Sequence, residues 1–196
     1  YKGQSQVFKQ SKTLDKLGSV ALDSSSALGK GVFSPIVCRK GGKNFKLHVK
    51  LNDVHVGPQG AMFISGKYGE KCDTYFTLSE SQEADIIKLT SLHEDQLCLR
   101  HPEVEDEINR RTEILSDGKT ITILVKMSPN VMGDLWDENA KFEAKSDVLS
   151  NTEDSLNVTF LASGYYYNTA ENTVRICLTC VHVDKNAAKN KRRKKE

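Results

Sequence analysis

The sequence predicts a mainly β protein with inserted helices. Three observations carry this. Apolar residues alternate with polar ones at period two over most of residues 31–184, turn-forming Gly, Asp and Asn punctuate the runs, and only two stretches switch to helical spacing. A count of about seven to nine strands and two short helices follows, and a closed or partly closed barrel is the economical way to arrange them. The chain has 196 residues, enough for one sizeable core. It divides into a basic, loosely structured arm (1–30), a β domain (31–184) and a basic tail (185–196).

The arm is rich in Ser, Lys and Gly, with one short strand or turn expected near Val20. "GVFSPIVC" from Gly31 is a strand in which Pro35 marks an edge or bulge. "NFKLHVKLN" puts Phe45, Leu47, Val49 and Leu51 on one face and Lys46, His48 and Lys50 on the other, a half-buried strand with a basic outer face. "AMFISGKY" and "TYFTL" continue the β pattern around turn signals at "GE" and "CD". Residues 79–97 then turn helical: Ser79 and Gln82 have capping-box spacing, and Ile86, Leu89 and His93 share a stripe. A second helix is expected in "PEVEDEINRRTEIL", with Pro102 and the acids early and Arg110 and Arg111 late. In "KTITILVKM", Ile121, Ile123, Val125 and Met127 share a strand face. "NVMGDLWDENA" reads as a loop whose Trp136 is a core or interface residue, with stacking as its alternative role. "KFEAK" reads as a short strand before a last hairpin.

Charge is segregated. Residues 1–50 carry a net +8, residues 51–184 a net −12 and residues 185–196 a net +6, although the whole chain is only +2. Two basic ends around an acidic body are the usual form of a nucleic-acid arm or a nuclear-import signal. A generic solubilising tail is the plainer alternative. Five scattered cysteines, odd in number, fit reduced thiols in an intracellular compartment. The start at Tyr1 fits a fragment or a processed product. No phosphate-binding glycine loop, nucleophile elbow or zinc-protease helix occurs, so an enzyme is not expected, and no cofactor or metal is implied. Cys177 and Cys180, three apart on a strand, point to opposite faces, which gives one buried and one half-exposed thiol rather than a chelating pair.

The same parity rule applied to "SLNVTFLASGYYY" gives an apolar face of Val158, Phe160, Ala162, Gly164 and Tyr166. Tyr165 and Tyr167 fall on the opposite face. With "NTAEN" as a five-residue hairpin loop, Arg175 joins Tyr165 and Tyr167 on the outside. A one-residue change of register would move Arg175 across the sheet. Aromatic rings beside a guanidinium suit the stacking of unpaired bases.

The run "GKTITILVKM…LNVTFLASGYYYNTAENTVRICLTCVHV", roughly 118–184, resembles the closing strands of OB-fold single-stranded-DNA-binding proteins of large DNA viruses and phages, in which a late strand ends in a glycine and aromatics. That resemblance implies an OB-like partly closed barrel and a viral, non-enzymatic protein. It would bind single-stranded DNA during replication, in the nucleus or a viral replication compartment. The family often ends in an acidic, partner-recruiting tail, whereas this chain ends basic. The expected binding residues are Lys46, His48, Lys50, Tyr165, Tyr167 and Arg175, with Lys191, Arg192, Arg193 and Lys194 of the tail. The expected partner is nucleic acid, with homo-oligomerisation as a further option and no membrane or small-molecule substrate. The alternative is a β-sandwich assembly protein, such as a capsid or nucleocapsid subunit or a histone-chaperone-like module, using its basic arms on nucleic acid or a partner.

Overall fold

A computed structural model describes residues 4–9, 19–22, 26–91, 109–110 and 114–193. Mainly β architecture with inserted helices is observed. The strands are β1 (Gln4–Lys9), β2 (Ser19–Leu22), β3 (Ser26–Leu28), β4 (Gly31–Lys40), β5 (Lys43–Val54), β6 (Val56–Gly66) and β7 (Gly69–Leu78), followed by β8 (Asn109–Arg110), β9 (Ile114–Ser116), β10 (Ile121–Met132), β11 (Leu156–Asn168) and β12 (Thr173–Lys185). The described helices are α1 (Glu80–Ser91), α2 (Phe142–Ser150) and α3 (Ala187–Arg193). The hydrogen-bonded order is β1-β5-β4-β11-β12-β10-β7-β6, with β2 and β3 on β4, β8 on β12, β9 on β10, and a further β5–β11 pairing. Among the described residues, the end strands of this order, β1 and β6, do not pair with each other. Contacts divide the chain into two compact units. One comprises Tyr1–Val49, Ala84–Glu113 and Leu161–Leu178, the other Lys50–Glu83, Ile114–Phe160 and Thr179–Glu196.

In the first unit, β4 and β5 form a hairpin closed by Gly41 and Gly42, both at positive φ (58° and 73°). A two-residue turn matching the strand twist needs that conformation, and glycine adopts it without steric cost. Ser34, Ile36 and Cys38 alternate as the buried side of β4, and Leu47 and Val49 as that of β5. Ile86 and Leu89 of α1 are buried as the helical stripe predicts.

In the second unit, Ile123, Val125 and Met127 are buried as predicted, and Phe76 packs against Phe160 with ring centroids 5.8 Å apart. The capping box forms reciprocally. Ser79 N donates to Gln82 Oε1 at 2.9 Å and Gln82 N to Ser79 Oγ at 3.3 Å. Lys145 is buried and donates from Nζ to the carbonyl of Val131 at 3.0 Å. That carbonyl belongs to a stretch of β10 where pairing with β12 shifts register, so the lysine satisfies an acceptor the irregularity leaves open.

Several expectations are corrected. The stretch around "KFEAK" is helical: Phe142, Lys145, Ser146 and Leu149 are buried at helical spacing, and three- to four-residue periodicity overrides a brief alternation. The expected helix in residues 102–115 lies partly outside the described residues, and its described parts, Asn109–Arg110 and Ile114–Ser116, are strand. The turn in 61–78 falls at Lys67–Tyr68, between Gly66 and Gly69, rather than at "GE" or "CD". The arm contains β1, β2 and β3, which pair with β5 and β4. The tail contains α3, held by Asp53: Lys189 Nζ lies 2.8 Å from its Oδ2, and Ser155 Oγ donates to Oδ1 at 2.7 Å. Asn190 adds bonds to both the amide and the carbonyl of Ser155. No described helix is long and apolar enough to cross a membrane.

Candidate nucleic-acid interface

Tyr165 and Tyr167 do not face outward. They are 2% and 4% exposed. Tyr165 donates from its hydroxyl to the Leu89 carbonyl of α1 at 2.7 Å, and burial pushes its phenol well above the usual range. Tyr167 donates to Asn172 Oδ1 at 2.9 Å. Tyr166, expected in the core, is the half-exposed one.

Two causes, one local and one long-range, account for the change. The β11–β12 connection is four residues, Thr169–Asn172, not five. Asn168 ends the strand by accepting the backbone amides of Ala170 and Glu171 on its own side chain, and Asn172 takes a positive φ of 51°. In addition, Tyr165 reaches α1 at Leu89, and Tyr165 and Tyr167 make the odd-numbered face the buried one at this end of β11. The register with Arg175 is correspondingly moved. Its guanidinium lies over the Tyr166 ring, 5.5 Å from the centroid.

The strand registers define which side chains share the Tyr166 face. Tyr166 opposes Phe33 on β4, and Cys38 opposes Phe45 on β5. Opposed residues share a face and neighbours alternate. Phe33, Pro35, Val37 and Arg39 of β4, Lys46 and His48 of β5, and Tyr166 of β11 therefore lie on one side. Ser34, Cys38, Leu47, Val49, Tyr165 and Tyr167 lie on the buried side.

Two glycines seat the rings. A Cβ on Gly164 would come within 2.6 Å of the Phe33 ring, and one on Gly31 within 3.0 Å of Tyr166 Cζ. Phe33 and Tyr166 thus each lie across a glycine of the neighbouring strand, an arrangement that flattens both rings against the sheet. Tyr166 Oη is tied to the Leu28 carbonyl at 3.2 Å. Phe33, Tyr166 and Arg175 are all half-buried, and Lys46 and Arg39 are exposed. His48 is half-buried with Nδ1 enclosed and without a hydrogen-bond partner. Its pKa is lowered, first by burial and then by the charge of Lys46, which favours a neutral ring at pH 7.

Among the expected residues, Lys46, His48 and Arg175 are therefore on one face of the first unit, and Tyr165 and Tyr167 are on its other face. Lys50, half-buried, and Lys191 and Arg192, exposed on α3, belong to the second unit. Arg193 ends α3, and Lys194 lies outside the described residues. Trp136 is half-buried with its indole nitrogen enclosed and unbonded. Cys180 is fully buried, its thiol pushed up to about 12 by burial, and Cys177 is half-buried, the split that strand parity gives. Parity reasoning missed Phe33 and Tyr166. The signals that could have found them are Asn168 as a strand-ending residue and Gly31 and Gly164 as seats for rings.

No protein-family model matches the chain, and no curated protein sequence is significantly similar to it.

Proposed function

We propose that the protein binds single-stranded nucleic acid, DNA in the first instance, without catalysing a reaction on it. The observation that supports this is the face just described, where Phe33 and the guanidinium of Arg175, seated on the Tyr166 ring, offer flat groups and Lys46 and Arg39 offer charge. Bases stack on aromatic rings and guanidinium planes whatever their sequence, at about 1–3 kcal/mol each, and lysines and arginines hold the phosphates between them. The neutral His48 ring adds a polar, uncharged surface beside Lys46. The basic residues of α3 supply phosphate contacts of their own.

Anisotropy titration of labelled oligo-dT and of duplex, each across a salt series, tests this. Single strands are expected to bind more tightly than duplex. Tyr166→Ala or Phe33→Ala should weaken single-strand binding by about 5–150-fold, the equivalent of one lost stacking platform. Lys46→Ala should reduce the salt slope by about 0.7. Equal binding of both nucleic acids that survives the two aromatic substitutions would overturn the reading.

A further inference from the structure

The β6–β7 hairpin carries a sheet edge that, among the described residues, only α2 partly protects: Ser150 meets it at Ala61, and the Phe63 ring packs edge-on against Phe142, 5.7 Å between centroids. β6 is the terminal strand of the order, and among the described residues it pairs only with β7. Its eleven residues, "VGPQGAMFISG", include no charged side chain. Exposed edge strands are ordinarily blunted by lysines, inward charges or prolines, because their free N–H and C=O groups template pairing with another chain. Here Pro58 and a register irregularity between Val56 and Ala61 protect only the beginning. Beyond it, Met62 is 46% exposed and Ile64 39%.

Backbone geometry identifies the groups that are open. The two-residue turn at Lys67–Tyr68 closes on the opposed pair Gly66 and Gly69, so Gly66, Ile64 and Met62 direct their backbone groups toward β7. Ala61, Phe63 and Ser65 direct theirs away from it. Ala61 agrees with this: its amide donates to Ser150 Oγ of α2 at 2.9 Å, and its carbonyl accepts from the same hydroxyl at 2.9 Å. Ser150 therefore stoppers the edge at Ala61 and leaves Phe63 and Ser65 beyond it.

We propose that this edge pairs with the same edge of a second copy, antiparallel about a two-fold axis at Ile64. In that register Phe63 opposes the second copy's Ser65, and Ser65 its Phe63. All four backbone groups left open beyond the Ser150 stopper are then satisfied on each chain. Ile64 meets its own counterpart as a closely spaced, non-hydrogen-bonded pair, and Met62 lies over the counterpart of Gly66, around which a side chain would find open space. The neighbouring register, centred on Phe63, would require Ala61 to abandon Ser150. Self-complementarity and the absence of charge select a second copy as the occupant, since no like charges meet across the axis. A two-fold pair of this kind closes on itself and does not grow. The proposal does not rest on the nucleic-acid reading.

Sedimentation velocity of the full chain over a dilution series, without nucleic acid, should give a monomer–dimer equilibrium. Ile64→Lys sets two like charges opposite each other and should weaken the dimer by more than about tenfold, with an unchanged circular dichroism spectrum. Mixing Ile64→Lys with Ile64→Glu should restore a heterodimer. With Cys98 and Cys177 replaced by Ser, Ile64→Cys should cross-link on mild oxidation. Ser65→Cys, diagonal across the axis, and Tyr68→Cys, 97% exposed at the turn, should not. A chain that stays monomeric, that assembles beyond a dimer, that is indifferent to Ile64→Lys, or that cross-links equally through all three cysteines overturns the proposal.

Discussion

The two ends of β11 obey opposite rules. Toward its start, Leu156, Val158, Phe160 and Ala162 are buried, the even-numbered face, and Phe160 meets Phe76. Toward its end, Tyr165 and Tyr167 are buried, the odd-numbered face, and Tyr165 meets α1. Between them Gly164 is buried under the ring of Phe33. A strand's alternation states only that neighbours face apart. Which face is inside depends on what covers it, and along a 13-residue strand the cover can change.

The largest expected effect tests that change directly. Phe160→Ala and Tyr165→Ala should each cost about 3–5 kcal/mol in urea unfolding, because both remove a large, fully buried ring, whereas Tyr166→Ala should cost less than about 1.5 kcal/mol. Equal losses at Tyr165 and Tyr166 would break the comparison. Next is the hinge between the two rules. Gly164→Ala puts a methyl into the Phe33 ring and within 2.5 Å of the Ser34 carbonyl, and should cost about 1–3 kcal/mol by overpacking. It should also lift Phe33 from the sheet, read as a change in its ring chemical shifts.

The smallest effect is a pH response confined to the second unit. Hydrogen bonds from Lys189 and then Ser155 hold the Asp53 carboxyl below the ordinary aspartate range. The stabilisation is complete above about pH 3.9, the unfolded value, and is lost as pH falls through the lower folded one. Amides of Ala187–Arg193 should lose exchange protection in that acid window while those of Tyr165 and Tyr167 keep theirs. The pair is partly exposed, so the change should be local.

Features set by neighbours in sequence were legible from the chain alone. The Ser79–Gln82 box, the alternation of Leu47, Val49 and Leu51, the stripe of Ile86 and Leu89, and the basic outer face bearing Lys46 and His48 all depend on local chemistry. What was not legible depended on long-range cover. Tyr165 and Tyr166 are equally apolar and adjacent, and only α1 on one side and Phe33 with Arg175 on the other distinguish them. α2 was hidden because "KFEAK" alternates for five residues before its helical period becomes visible in Ser146 and Leu149. The basic tail hid a different kind of information: Lys189 and Asn190 hold α3 to Asp53 and Ser155, leaving Lys191 and Arg192 exposed.

One feature of the strand order governs how the molecule is made. β12 lies between β11 and β10, with β10 its parallel neighbour, yet it follows both of them in the sequence. As the chain leaves the ribosome, the β6–β7–β10 meander and the β4–β5–β11 group can each form early, and each then presents an open edge. Only the emergence of Thr173–Lys185 fills both at once. The strand order therefore makes the centre of the sheet depend on one strand that follows both of its neighbours in the chain, so the contacts of β12 with β10 and β11 form together rather than by steady addition. The central strand acts as a closing step in time as well as a seam in space.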